Sequence, residues 1–296
     1  MSAAHGTTSI SAIIVSHNEG ENLRRTVDSL LAGLPSDGEV VVVDDYSTDG
    51  SAGAVSSGYL GVSVVRPAER LGVAPARNFG AARARGEVLV FSDAHVEAPL
   101  GWAGPLRDAL VDPAVGAVGP VVSALHRPEA KAYGFRWADA ALNLQWLGRQ
   151  GNEPHPVPML VGCFVALRRD TFAATGGFDP GLAVYGSEDA ELCLRLWTLG
   201  YECRLVPALD VGHLFREAHP YRVEWEVVLH NLLRVAVVHF GPARLQRLVA
   251  CLASHAAFPA AFARLVEGDA WARRAAVRAA RRFDDDWFFR RFGMDG

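Results

Sequence analysis

The sequence has no basic excess. Its 33 aspartates and glutamates outnumber 29 lysines and arginines, for a formal net charge of −4. Such a chain is not built to hold a nucleic-acid backbone. Cysteine is scarce: Cys163, Cys193, Cys203 and Cys251, none in a CxxC pair, which argues against a zinc knuckle or a redox motif. Cys163 and Cys193 sit among apolar residues and read as small core hydrophobes. Residues 1–8 are polar and lack a cationic segment followed by a long apolar one, so no secretory signal is expected. Together these absences lead to the expectation of a reducing, cytoplasmic setting. No GxGxxG follows the first apolar run, which disfavours a dinucleotide oxidoreductase. Leu248 to Ala263 carries no formal charge, but it is short for a bilayer span and Pro259 interrupts it. It is expected to form a buried helical hairpin, with a helix lying on a membrane surface as the alternative.

What is present is ordinary globular material: 50% hydrophobic and 21% charged over 296 residues, enough for a substantial core. Ile10 to Val15 is a short apolar run, and Glu21 to Leu34 sets Leu23, Val27, Leu30 and Leu31 at helical spacing. Glu39 to Val43 and Val62 to Val65 read as strands, Ala74 to Arg85 as a helix and Glu87 to Phe91 as a fourth strand. A helix near Trp102 to Val111 and a strand near Val115 to Val122 follow. Val157 to Leu167 reads as a strand, Glu188 to Leu199 as a helix and Glu202 to Val206 as a last strand. Asp210 to Tyr221 reads as a polar loop, and helices are expected beyond it. Alternating strands and helices imply a mostly parallel sheet with right-handed crossovers, whose ligands bind beyond the carboxyl ends of the strands. One continuous domain over residues 1–221 with a helical appendage over 222–296 is the expected organisation.

Polar residues stand at several of these strand ends. Asp93 and His95, one residue apart after the fourth strand, can share a divalent ion, since a carboxylate and an imidazole suit manganese. A short polar turn would equally well contain both. His213 could complete such a site, and Arg216 could meet a phosphate with its planar fork; His219 and Tyr221 follow closely. Asp44 and Asp45 end the second strand. They repel each other unless something accepts them: a base or ribose on one reading, the turn formers Ser47 to Gly50 on the other. Ser187 can cap the helix that begins at Glu188, with Glu188 and Asp189 favoured in its first turn. Alternatively one of these carboxylates serves acceptor activation or sugar binding.

As a set, His17-Asn18-Glu19, Val43 to Ser47, Asp93 to Glu97, Gly186 to Asp189 and Gly212 to Arg216 through His219-Pro220-Tyr221 resemble the GT-A glycosyltransferases. The resemblance is strongest to the polypeptide N-acetylgalactosaminyltransferase type and the family 2 enzymes beside it, and it covers roughly Ile10 to Phe240. It implies an α/β fold with a Rossmann-like nucleotide-binding half joined to an acceptor half around one sheet. It implies that Asp93, His95 and His213 hold Mn2+ or Mg2+ on the diphosphate of a nucleotide-sugar donor, a UDP-sugar. It places Asp44, with Asp45 beside it, at the uracil or ribose, and Arg77, Arg216 and Tyr221 around the nucleotide. Glu188 and Asp189 become the catalytic pair, and the acceptor a small molecule, peptide or glycan. The peptide enzymes carry asparagine where this sequence has Asp189 and often arginine where it has Pro75. Retention of configuration is the expectation. An inverting family 2 enzyme with Asp189 as general base is the alternative, and a non-catalytic nucleotide-sugar-binding module is the alternative of another class.

Overall fold

The computed structural model describes residues 9–216 and 224–294. The chain begins β1 (Ile10–Ser16), α1 (Glu21–Gly33), β2 (Glu39–Asp44), α2 (Ser51–Gly58), β3 (Val62–Val65), α3 (Val73–Ala81) and β4 (Val88–Asp93). It continues through β5 (Val96–Glu97), α4 (Ala103–Ala109), β6 (Val115–Ala124), β7 (Arg127–Ala132), β8 (Phe135–Trp137), β9 (Leu144–Trp146) and β10 (His155–Pro156). Then come β11 (Phe164–Arg168), α5 (Arg169–Ala174), α6 (Glu188–Leu199) and β12 (Glu202–His213). The chain closes with α7 (Trp225–His239), α8 (Pro242–Leu252), α9 (Phe258–Glu267), α10 (Ala270–Ala280) and α11 (Asp285–Arg291).

The main sheet runs in the order β10-β12-β6-β11-β4-β1-β2-β3. β3, β2, β1 and β4 are mutually parallel, as are β6 and β12; β11 lies antiparallel between β4 and β6. Parallel strands covered on both faces need continuous apolar runs, and Ile10, Ala12, Ile13 and Ile14 of β1 are all fully buried. Leu23, Val27 and Leu30 form the buried stripe of α1.

Two boundaries differ from the sequence reading. The strand expected over Val157 to Leu167 forms only from Phe164. Residues 157–163 instead cross between strands, with the Val157 amide donating to the Cys203 carbonyl (2.9 Å) and Met159 bridging Phe135. Pro158 has no amide to offer a ladder. Conversely, the last strand does not stop at Val206. Its register against β6 shifts between Val206 and Asp210, and pairing resumes through His213. The bulge around Pro207 makes one long strand read as a strand followed by a loop.

The C-terminal helices are fastened to the sheet domain by buried ion pairs. Arg234 of α7 grips Asp179 with Nε and Nη2 (2.9 and 2.8 Å), and Arg273 of α10 lies 3.1 Å from the same carboxylate. Glu191 of α6 accepts from Arg195 (2.8 and 3.0 Å) and faces His239 of α7 at 3.0 Å. Leu248 to Ala263 does fold into helices, α8 and the start of α9, but the hairpin is buried along one stripe only. Leu248, Leu252 and Ala261 face inward, while Phe262 is 44% exposed. The run has more small and apolar residues than the single stripe it buries requires. Among the described residues no helix is long and apolar enough to cross a membrane.

Candidate active site

β4 leaves the middle of the sheet and ends at Asp93. The chain then turns, and Val96–Glu97 pairs antiparallel with the far end of β12, Gly212 opposite Glu97 and His213 opposite Val96. The Leu214 amide donates to the His95 carbonyl (3.0 Å). This pairing brings the two imidazoles together, their ring centroids 4.8 Å apart. One potential ligand atom from each of Asp93, His95 and His213 lies within 4.8 Å of the other two. Oδ2 of Asp93 is 3.4 Å from Nε2 of His213 and 4.0 Å from Nε2 of His95. Nδ1 of His213 is buried without a hydrogen-bond partner, and its Nε2 has the Asp93 carboxylate only at 3.4 Å, which leaves the ring short of partners. Two imidazoles and a carboxylate converging on one point fit a divalent cation.

The surroundings hold these groups in place. Arg77, 1% exposed, donates from Nη2 to Asp93 (3.0 Å) and to the Gly162 carbonyl (2.8 Å), and its Nη1 is 3.6 Å from Glu188. Burial would raise the Asp93 carboxyl, but His213, Arg77 and His95 outweigh it and hold it well below the usual range. Glu19 stands on the other side of His95, 3.3 Å from Nδ1, and pairs with Arg216. Burial lowers His95, yet Glu19 and Asp93 together leave it above its ordinary value.

Glu188 and Asp189 open α6 and line the same cleft. Ser187 stands at the N-cap position but makes no side-chain cap. Its backbone is left-handed (φ 69°), unlike the extended conformation of a capping serine. Glu188 instead accepts from the Gly186 amide (2.8 Å), and Asp189 accepts from Gly162 (3.1 Å) and Ala190 (2.8 Å). Gly162 is required for that approach, since a Cβ there would lie 2.8 Å from Cβ of Asp189. Burial, with the negative charge of Glu188 beside it, pushes the Asp189 carboxyl up to about 7.

The paired acids of β2 diverge. Asp45 accepts from the amides of Leu71 and Gly72 (2.7 and 2.9 Å) and lines the cleft. Asp44 points away from it, accepting from the Ser47 amide (2.8 Å) and from Arg66 (3.1 Å). The cleft has a volume of about 400 Å3, and Glu19, Asp45, Asp93, His95, Asp189 and Arg216 are among its walls.

The structure thus gathers Asp93, His95, His213, Arg216, Glu188, Asp189 and Asp45 at one cleft. Arg77 and Asp44 are not among the residues that line the cleft. Arg77 lies beneath the site, engaged with Asp93, and Asp44 is occupied by its own turn. Tyr221, with His219, lies outside the described residues. Glu19, in the His17-Asn18-Glu19 stretch, also belongs to the site, and the exposed aromatic pair Trp146 and Phe215 stands beside it. Those two rings meet edge to face at 6.0 Å, and Phe215 is 4.5 Å from the His213 ring.

Comparison with known proteins shows the family and the fold. The family model described as Glycosyl transferase family 2 matches residues 11–176, more than half of the chain, and one described as N-terminal domain of galactosyltransferase matches residues 149–220. Polypeptide N-acetylgalactosaminyltransferase 3 of Drosophila melanogaster is 32% identical over 263 residues, 79% of this chain and 39% of that one. Polypeptide N-acetylgalactosaminyltransferase 13 of Homo sapiens is 32% identical over 237 residues, 71% and 42%. The chain spans about two-fifths of the length of these relatives. A crystal structure of GalNAc-T7 with UDP, GalNAc and Mn2+ superimposes with a TM-score of 0.82 at 24% identity, covering 98% of this chain and 57% of that one. The mannosyltransferase PcManGT from Pyrobaculum calidifontis, in complex with GDP-Man and Mn2+, gives 0.56 at 22%, covering 93% and 81%.

Proposed function

The chain belongs to glycosyl transferase family 2, and from that premise we propose a metal-dependent enzyme that moves a sugar from a UDP-sugar to an acceptor hydroxyl with retention of configuration. The observation that carries this reading is the convergence of Asp93, His95 and His213 within 4.8 Å of one another at the cleft. These residues would hold Mn2+ or Mg2+. The ion would supply Lewis-acid stabilisation of the diphosphate that leaves as the glycosidic bond breaks.

The chain's own residues do the rest. Arg77 fixes Asp93, Glu19 orients His95 and Arg216, and Glu188 and Asp189 line the cleft where the sugar would sit. The named activity of the relatives supports N-acetylgalactosamine as the donor sugar and a peptide as the acceptor; a glycan or small molecule is also compatible with the cleft. The exposed rings of Trp146 and Phe215, beside His213, give an acceptor an apolar surface on which to rest.

Calorimetry of UDP binding with Mn2+ and with a chelator tests the reading. Binding that needs the metal supports it; equal affinity in both overturns it. Slow hydrolysis of a UDP-sugar with Mn2+ separates an enzyme from a binding module. One observation favours a second reading, inversion. Asp189 lines the cleft with its carboxyl pushed up to about 7, the range that suits a general base near neutrality.

A further inference from the structure

Val184 to Gly186, in the segment Ala183 to Ser187, line the cleft just before Glu188. Its backbone is unusual: Val184, Gly186 and Ser187 all have left-handed φ, 50°, 97° and 69°. A β-branched residue at positive φ is an outlier, and such conformations persist only where the surroundings enforce them. One contact comes from the cleft side, the Val73 amide donating to the Val184 carbonyl at 2.7 Å. Gly72 allows this approach, because a Cβ there would lie 2.7 Å from the same carbonyl oxygen.

The other constraint comes from the C-terminal helices. Asn231 of α7 is 1% exposed. Its Oδ1 accepts from the Ala183 amide (2.8 Å), and its Nδ2 donates to the carbonyls of Ala183 (2.9 Å), Tyr185 (3.0 Å) and Gly186 (3.0 Å). Only one orientation of the carboxamide works, because the flipped one would set its oxygen against three carbonyls. Gly186 then passes the constraint on, its amide donating to Glu188 at 2.8 Å.

We infer that Asn231 is a positioning residue for the transfer site, a clamp on the 183–187 backbone that sets Glu188 and Asp189 at the cleft. The inference rests on the reading of that cleft as a sugar-transfer site. Asn231 touches neither the metal-ligand trio nor Arg216, so its role is separable from nucleotide binding. Aspartate at this position keeps the shape and the acceptor but replaces the donor with a second oxygen facing three carbonyls.

The test is Asn231→Asp, compared with wild type for UDP affinity in Mn2+, for turnover of a panel of UDP-sugars and for thermal stability. UDP affinity should stay within about threefold, since that binding draws on other residues, while kcat falls by about a hundredfold, the scale of a misplaced reacting group. An unchanged kcat in folded protein overturns the clamp, as does a loss wholly accounted for by weaker UDP binding. Hydrogen exchange on wild type keeps the inference falsifiable if the variant does not fold. The Ala183 amide should exchange as slowly as sheet amides, and exchange at the rate of an open loop overturns it. Wild type that turns over no UDP-sugar overturns the transferase reading instead, and the clamp is then decided by exchange alone.

Discussion

Glu19 and His95 face each other at 3.3 Å, Oε1 to Nδ1, while the far nitrogen of the same imidazole turns toward Asp93. A carboxylate behind a metal-binding histidine fixes ring orientation and raises ligand basicity. Glu19→Gln keeps the volume and removes the charge. It should weaken Mn2+ affinity by about tenfold or more, measured by titrating the metal in the presence of UDP. An unaltered affinity would remove Glu19 from the site's support.

His213→Ala and His95→Ala should each lower transfer by about an order of magnitude or more, because losing a ligand removes leaving-group stabilisation. Initial rates against Mn2+ concentration check this. Full activity at ordinary Mn2+ in either variant would dissociate the pair from the metal.

Asp189 separates the two stereochemical outcomes. Under retention, Asp189→Asn should leave turnover within about tenfold of wild type, because no base is needed in the transition state. The pH dependence near 7 should be the same in both proteins. Under inversion the carboxylate must be ionised, so wild-type turnover would climb as pH rises through about 7. The asparagine variant would then bind donor yet scarcely turn over. Proton NMR of the first product reads the result directly: an α-linked product from an α-linked donor is expected, and a β-linked one refutes retention.

Glu191→Ala should destabilise the fold by about 3–5 kcal/mol, since it leaves the guanidinium of Arg195 buried without its counter-charge. Arg195 would retain only the carbonyls of Thr175 and Gly177. Thermal unfolding should show Tm lower by several degrees. A melting curve like that of wild type would mean that the Glu191 ion pairs add nothing net to the fold.

Much of this molecule is written locally. The apolar runs of β1, β2 and β4 give way to polar residues at the strand ends, so Asp93 and His95 are legible as strand-end groups, as are Asp44 and Asp45. The acidic start of α6 was visible for the same reason, because helix and strand periodicity arises from neighbours along the chain. Other features depend on partners distant in sequence. His213 looks like a loop residue until the ladder to Val96–Glu97 carries β12 past its bulge. Ser187 looks like a cap until its backbone is seen to be left-handed. Asp44 and Asp45 are adjacent acids in the sequence, and the tertiary structure shows which of them the amides of Leu71 and Gly72 hold at the cleft. Glu19 lies in a stretch that carries the resemblance but with no role legible there, and Asn231 carries no local signal of a site. Their side chains acquire one only when folding sets them against His95 and the 183–187 backbone, because hydrogen bonds and ion pairs act through space at about 3 Å whatever the separation along the chain.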